Sequence, residues 1–86
     1  MAIEFTKSAG KHGFAFPDAV HAISNATHEN RAFDRRGPLE TMAWVGPSTT
    51  GQVIEVFAAV QPPDQLVIFH CMEVRAKTMD KMRRAR

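Results

Sequence analysis

The run Leu66–Met72, LVIFHCM, restricts the possible folds of this chain more than any other stretch. It is short, continuously apolar, rich in β-branched and aromatic side chains, and bounded upstream by Pro62 and Pro63. Such a segment reads as a strand covered on both faces, and so as the expected centre of a sheet. The chain changes character just past its end. Arg75–Arg86 carries six Lys or Arg and one Asp, whereas Met1–Val74 carries five basic and eight acidic residues. This asymmetry points either to an anionic partner, nucleic acid or an acidic protein surface, or to a solvated helix face.

Eighty-six residues support one modest core and a single domain, residues 1–86. An apolar fraction of 44%, with six Phe and one Trp, is globular rather than disordered in composition. The one cysteine, Cys71, has no internal partner and sits in the apolar run, which suits a small buried hydrophobe in a reducing compartment. No apolar stretch approaches the ~20 residues of a membrane span, and MAIEFTKS lacks the long apolar region of a signal peptide. A cytoplasmic protein without membrane attachment is expected.

In chain order, Ile3-Glu4-Phe5 is a brief extended segment, and Thr6 is a plausible N-cap for a short helix, Lys7–His12, ended by Gly13. Pro17 and Asp18 open a second helix running to about Asn25, with Phe16, Val20 and Ile23 on one face. Thr27–Asp34 is polar and extended, and Arg35-Arg36-Gly37-Pro38 reads as a turn. Strands are expected over Leu39–Val45, Gln52–Val60 and the Leu66 run, joined by loops too short for parallel crossovers. From Ala76 the residues favour helix, with Met79 and Met82 on an apolar side. The expected fold is therefore α+β: a small antiparallel meander of three to four strands, two N-terminal helices and a C-terminal helix.

No GxGxxG, Walker loop, CxxC pair or HExxH occurs, so neither a cofactor nor a metal site is expected. What remains is a set of imidazoles, cations and one carboxylate in an apolar strand: His12, His70, Arg75 and Glu55, with Lys11, Arg31, Arg35, Arg36 and Lys77. Cleaving RNA by internal attack of the 2′-OH needs a base, an acid and cations that stabilise charge on phosphorus, and no metal. Histidine serves either proton role near neutral pH, and arginine grips phosphate with two parallel N–H donors. Each residue also has a structural reading. His70 fits a hydrogen-bonded core histidine, His12 a helix end, Glu55 and Arg75 an ion pair, and Arg35-Arg36 a solvated turn.

Lys11-His12-Gly13 followed by Phe16 and a helix, Ala43-Trp44-Val45-Gly46-Pro47-Ser48, Gln52–Phe57, and Ile68-Phe69-His70-Cys71-Met72-Glu73-Val74-Arg75-Ala76-Lys77 occur in that order. Together they resemble the BrnT-like toxins of type II toxin–antitoxin systems, within the RelE/ParE superfamily. The resemblance covers Glu4 to about Arg84 and implies a RelE/ParE-like α+β fold. It implies a ribonuclease that stops translation, and a cognate antitoxin, commonly a small DNA-binding protein of the ribbon-helix-helix type. It assigns the KHG motif to Lys11, His12 and Gly13 and the closing basic residue to Arg75. Three features depart from the pattern: a short first helix, His70 where many such chains have arginine, and the absence of tyrosine. Two other functions fit the residues: a non-enzymatic module that grips a partner such as a topoisomerase, and an inactive relative.

Overall fold

The structure, a computed structural model, describes residues 2–36 and 39–84, with the side chains of residues 35, 36 and 84 outside the described set. Five strands form one mixed sheet: β1 (Ala2–Phe5), β2 (His28–Arg36), β3 (Leu39–Pro47), β4 (Val53–Gln61) and β5 (Gln65–Glu73). Their spatial order is β1-β5-β4-β3-β2. A 3-10 turn, Ala9–His12, and helix α1 (Phe16–Ser24) lead from β1 to β2, and helix α2 (Ala76–Arg84) follows β5.

This corrects the RelE/ParE-like meander of three to four strands with two N-terminal helices. The segment at Ile3 is an edge strand, paired in parallel with β5 from Ala2↔Gln65 to Phe5↔Ile68. Short loops exclude parallel pairing only between neighbours in sequence, and here the whole intervening chain serves as the crossover. The polar stretch after Thr27 is the opposite edge strand, β2, and it runs through Arg35 and Arg36, which pair with Glu40 and Leu39. The expected turn residues Gly37 and Pro38 lie outside the described residues. The first expected helix is a single 3-10 turn, closed by Gly13 at φ 90. Four residues cannot repay α-helix nucleation, so one α-helix, not two, precedes β2. The central strand is β4 rather than β5.

Period-two alternation along β4 divides the interior between the two faces. Ile54, Val56 and Ala58 join Trp44, Leu66, Ile68 and Cys71 under α1 and the 3-10 turn, where Ala9, Ala19 and Ala22 are fully buried. On the other face α2 lays Met82, with Met79 beside it, against Phe33, Ala43, Val45 and Phe57. The α1 contact is close because its inward residues are small and β3 offers a glycine. A Cβ on Gly46 would stand 2.3 Å from the Ala22 carbonyl oxygen and 3.0 Å from the Ala26 Cα. Gly46→Ala is therefore expected to push α1 off the sheet and cost about 2 kcal/mol, as overpacking of a filled core does. A urea midpoint unchanged from the parent would contradict this packing.

Burial also sets the chemistry of Cys71, whose thiol is pushed up to about 11 by desolvation, with a smaller contribution from Asp18. Thiol reagents should modify Cys71 only on unfolding, since the thiolate is the reactive form. Alkylation of the native protein as fast as that of a denatured control would overturn this expectation.

Candidate active site

Pairing between β4 and β5 slips by one residue between Phe57 and Ala58, so that Phe57 opposes His70 while Ala58 opposes Ile68. The surplus residue is Phe69, a β-bulge. Bulges change the alternation of side chains, and here Ile68 and Cys71 both point into the α1 core while Phe69 and His70 meet on the other face. The 3-10 turn is fastened over this irregularity: Ser8 Oγ donates to the Phe69 carbonyl at 3.0 Å, and the Thr6 amide donates to the Ile68 carbonyl at 3.0 Å. The turn carrying Lys11 and His12 is thereby held beside the bulge.

Glu55 is the anchor of this face. Its side chain has no exposed surface, yet it is surrounded by donors. His70 Nε2 lies 2.7 Å from Oε2, Arg75 Nε lies 2.9 Å from the same oxygen, and the Arg75 backbone amide donates to Oε1 at 3.0 Å. Arg75 Nη2 and the Thr78 side chain complete the set. Burial alone would raise the carboxyl, but the hydrogen bonds from His70, Arg75 and Thr78 outweigh it and hold Glu55 at about 2. Arg75 immediately precedes α2, so the carboxylate also sits at the positive end of that helix.

An ionised carboxylate has no proton to give, so His70 Nε2 carries the hydrogen of their shared bond. In the neutral ring this fixes the tautomer, with the lone pair on Nδ1, the ring nitrogen not bonded to Glu55. The ring is also fixed in tilt, because Phe57 stacks on it at 4.4 Å and 19°. Phe33 lies 4.9 Å beyond Phe57, and Lys81 Nζ stands 4.4 Å over Phe33. Carboxylate, imidazole and guanidinium are thus oriented by partners on three strands and one helix.

His70 and Arg75 open onto a cleft of about 400 Å³ whose other walls include Ser8, Lys11, Thr41, Phe57 and Phe69. A second hollow shares Phe33, Asp34, Phe57 and Arg75 with it and adds Lys77, Thr78 and Lys81. The two adjoin through these shared walls, Lys11 lining the first, Lys77 and Lys81 the second, and Arg75 and Asp34 both.

Of the residues expected from sequence, His70, Arg75, Glu55 and Lys11 converge, and Lys77 stands in the adjoining hollow. Glu55 is a positioning residue and not a general base, since nothing outside the protein can touch it. His12 is exposed, with its ring 6.1 Å from His70, but it borders a separate depression with Glu73 and Gln52. Arg31 is not brought in. It pairs with Glu29 at 2.7 Å and lies along an apolar groove beside Met42 and Trp44. The side chains of Arg35 and Arg36 lie outside the described residues. Sequence reasoning missed Phe57, Phe69, Thr41 and Thr78. Apolar alternation marks Phe57 as core, and no residue in a uniformly apolar run marks the bulge.

No family model, curated protein or solved structure matches the chain. No helix among the described residues is long and apolar enough to cross a membrane.

Proposed function

We propose that this cleft cleaves RNA by internal attack of the 2′-OH, and that the protein is the toxin of a toxin–antitoxin pair, neutralised by a small DNA-binding antitoxin. The observation carrying this reading is the Glu55–His70–Arg75 arrangement: one buried carboxylate fixes an imidazole tautomer and a guanidinium side by side at a cationic cleft. His70 Nδ1 takes the 2′-OH proton, because the carboxylate on Nε2 stabilises the imidazolium that forms. Arg75, one-third exposed in its side chain, meets the charge building on phosphorus with the edge not spent on Glu55. His12, outside the cleft lining but with its ring 6.1 Å from that of His70, is the candidate acid for a leaving 5′-oxygen that extends past the cleft edge. Ordered KHG and strand-end motifs add the toxin context.

Expression without a partner should arrest growth and shorten cellular RNA. Intact RNA and normal growth at high expression would contradict both parts of the proposal. A second reading, a non-enzymatic module acting on a partner such as a topoisomerase, is favoured by the low exposure of His70, 19% in its side chain. It predicts growth arrest with intact RNA and inhibited DNA supercoiling.

A further inference from the structure

The cleft has a polar group that the chemistry above does not use. Thr41 is 2% exposed, and its Oγ1 has no hydrogen-bond partner among the described residues, although Thr41 lines the cleft. Buried hydroxyls are nearly always paired, so an unpaired one just behind the wall of an open cleft is a place where a ligand can supply the partner once the side chains covering it give way. Its position is defined by register. Thr41 opposes Ala59, two residues beyond Phe57 on β4 and therefore on the same face. It lies one pleat along the sheet from the Phe57–His70 pair, at the side away from Glu55.

Aromatic surface fills the interval. Phe57 is taken up in the stack with His70 and Phe33, and Phe69, set 6.5 Å from Phe57 at 59°, makes a corner with it. Lys11 and Arg75 both line the cleft, as does Asp34, the partner of Thr41 on β2. Two basic side chains, an aromatic corner and one buried hydroxyl, with the Asp34 carboxylate also on the wall, suit an unstacked base with its flanking phosphate, whereas a base paired inside a duplex cannot reach the corner or the hydroxyl.

We infer that Thr41 and Phe69 form a subsite for an unpaired nucleobase next to the scissile phosphate, making single-stranded RNA the substrate class. This rests on the ribonuclease reading for the word scissile but not for binding. Phe69 supplies the contact surface, and Thr41 Oγ1 donates to or accepts from the polar edge of the base. A threonine hydroxyl can do either, so it favours the bases whose polar edge comes within reach of its fixed position and does not discriminate donors from acceptors.

The test is equilibrium binding of short fluorescent RNA strands that carry 2′-O-methyl sugars at every position, so that nothing can be cleaved, with a fully paired hairpin of the same composition, its loop a non-nucleotide linker, for comparison. Wild-type protein should bind at least one single-stranded sequence at least tenfold more tightly than the hairpin. Phe69→Leu should weaken that binding at least fivefold. Thr41→Val, equal in shape and free of the unpaired hydroxyl, should narrow the preference among the four bases at one position while melting no lower than the parent. A threonine that only packs would leave base preference unmoved. Equal binding of strand and hairpin, or unaltered preference in Thr41→Val, would overturn the subsite whether or not the protein cuts RNA. Binding as expected, with no cleavage of the all-ribose strand, would remove the ribonuclease reading and leave the subsite standing.

Discussion

Glu55→Gln is expected to lower stability by about 3 kcal/mol, the scale for removing one member of a buried charged network. An amide of the same shape presents only one acceptor oxygen and turns an NH₂ toward donors. His70 Nε2, Arg75 Nε and the Arg75 amide, all within 3.0 Å of the carboxylate, then compete for what remains. In a domain of this size such a loss lowers the melting temperature by roughly 15 °C. The Arg75 amide and Thr78 tie the carboxylate to α2, so the helix should loosen first. Hydrogen exchange at Thr78–Met82 should rise before exchange in β4. A melting temperature within a few degrees of wild type would show that the network is dispensable to the fold.

The same carboxylate sets an acid limit. Its folded value, about 2, lies below its ordinary value of 4.5. A group depressed on folding stabilises at pH above its unfolded value, and that stabilisation is lost as pH falls through the folded one. The shift corresponds to about 3 kcal/mol, fully present above pH ~4.5 and gone below pH ~2. Wild-type stability should therefore fall between those limits, and the fall should be shallower in Glu55→Gln. Parallel acid-unfolding curves would contradict the assignment.

His70→Ala is expected to slow RNA cleavage by roughly 10²–10⁴-fold, the usual worth of a positioned proton-transfer group. The variant should still fold, because Arg75 retains its bonds to Glu55 and the vacated space faces a half-open cleft. Glu55→Gln should retain more activity than His70→Ala, since it disturbs the tautomer and orientation of the imidazole but leaves the imidazole present. Arg75→Lys keeps a positive charge but loses the paired N–H geometry, and so should lower cleavage while preserving binding of uncleavable RNA. If His70→Ala cleaved at the wild-type rate, the proton-transfer role would belong to another group.

Particular residues explain how far the sequence was readable. β3, β4 and β5 are bounded by Pro or Gly and carry alternating or continuous apolar side chains, so pairing between sequence neighbours leaves a local imprint. β1 and β2 read as extended segments, at Ile3–Phe5 and Thr27–Asp34, but leave no imprint of what they pair with. β1 is held by residues from the other end of the chain, and β2 is a polar edge whose inward residue, Phe33, is separated from the next register point by an irregularity between Asn30 and Asp34. Glu55 was conspicuous because a charge in an apolar strand demands partners. Its partners were readable only in part: Arg75 as a possible ion pair, His70 as a core histidine. The bulge at Phe69 decided the outcome. Without it strict alternation would put His70 in the α1 core with Ile68, away from Glu55. Arg31 does not reach the cleft, and its placement depends on how β2 pairs at the sheet edge, which composition does not reveal.

The most direct measurement is incubation of purified wild-type, Glu55→Gln and His70→Ala proteins with end-labelled single-stranded RNA, with a matched strand carrying one 2′-deoxy sugar at the principal cut site. Wild type should generate a 5′-hydroxyl fragment and a 2′,3′-cyclic phosphate, the deoxy substitution should abolish that cut alone, and His70→Ala should lose nearly all cleavage. Intact RNA with folded wild-type protein, or cleavage unaffected by the missing 2′-OH, would contradict the account.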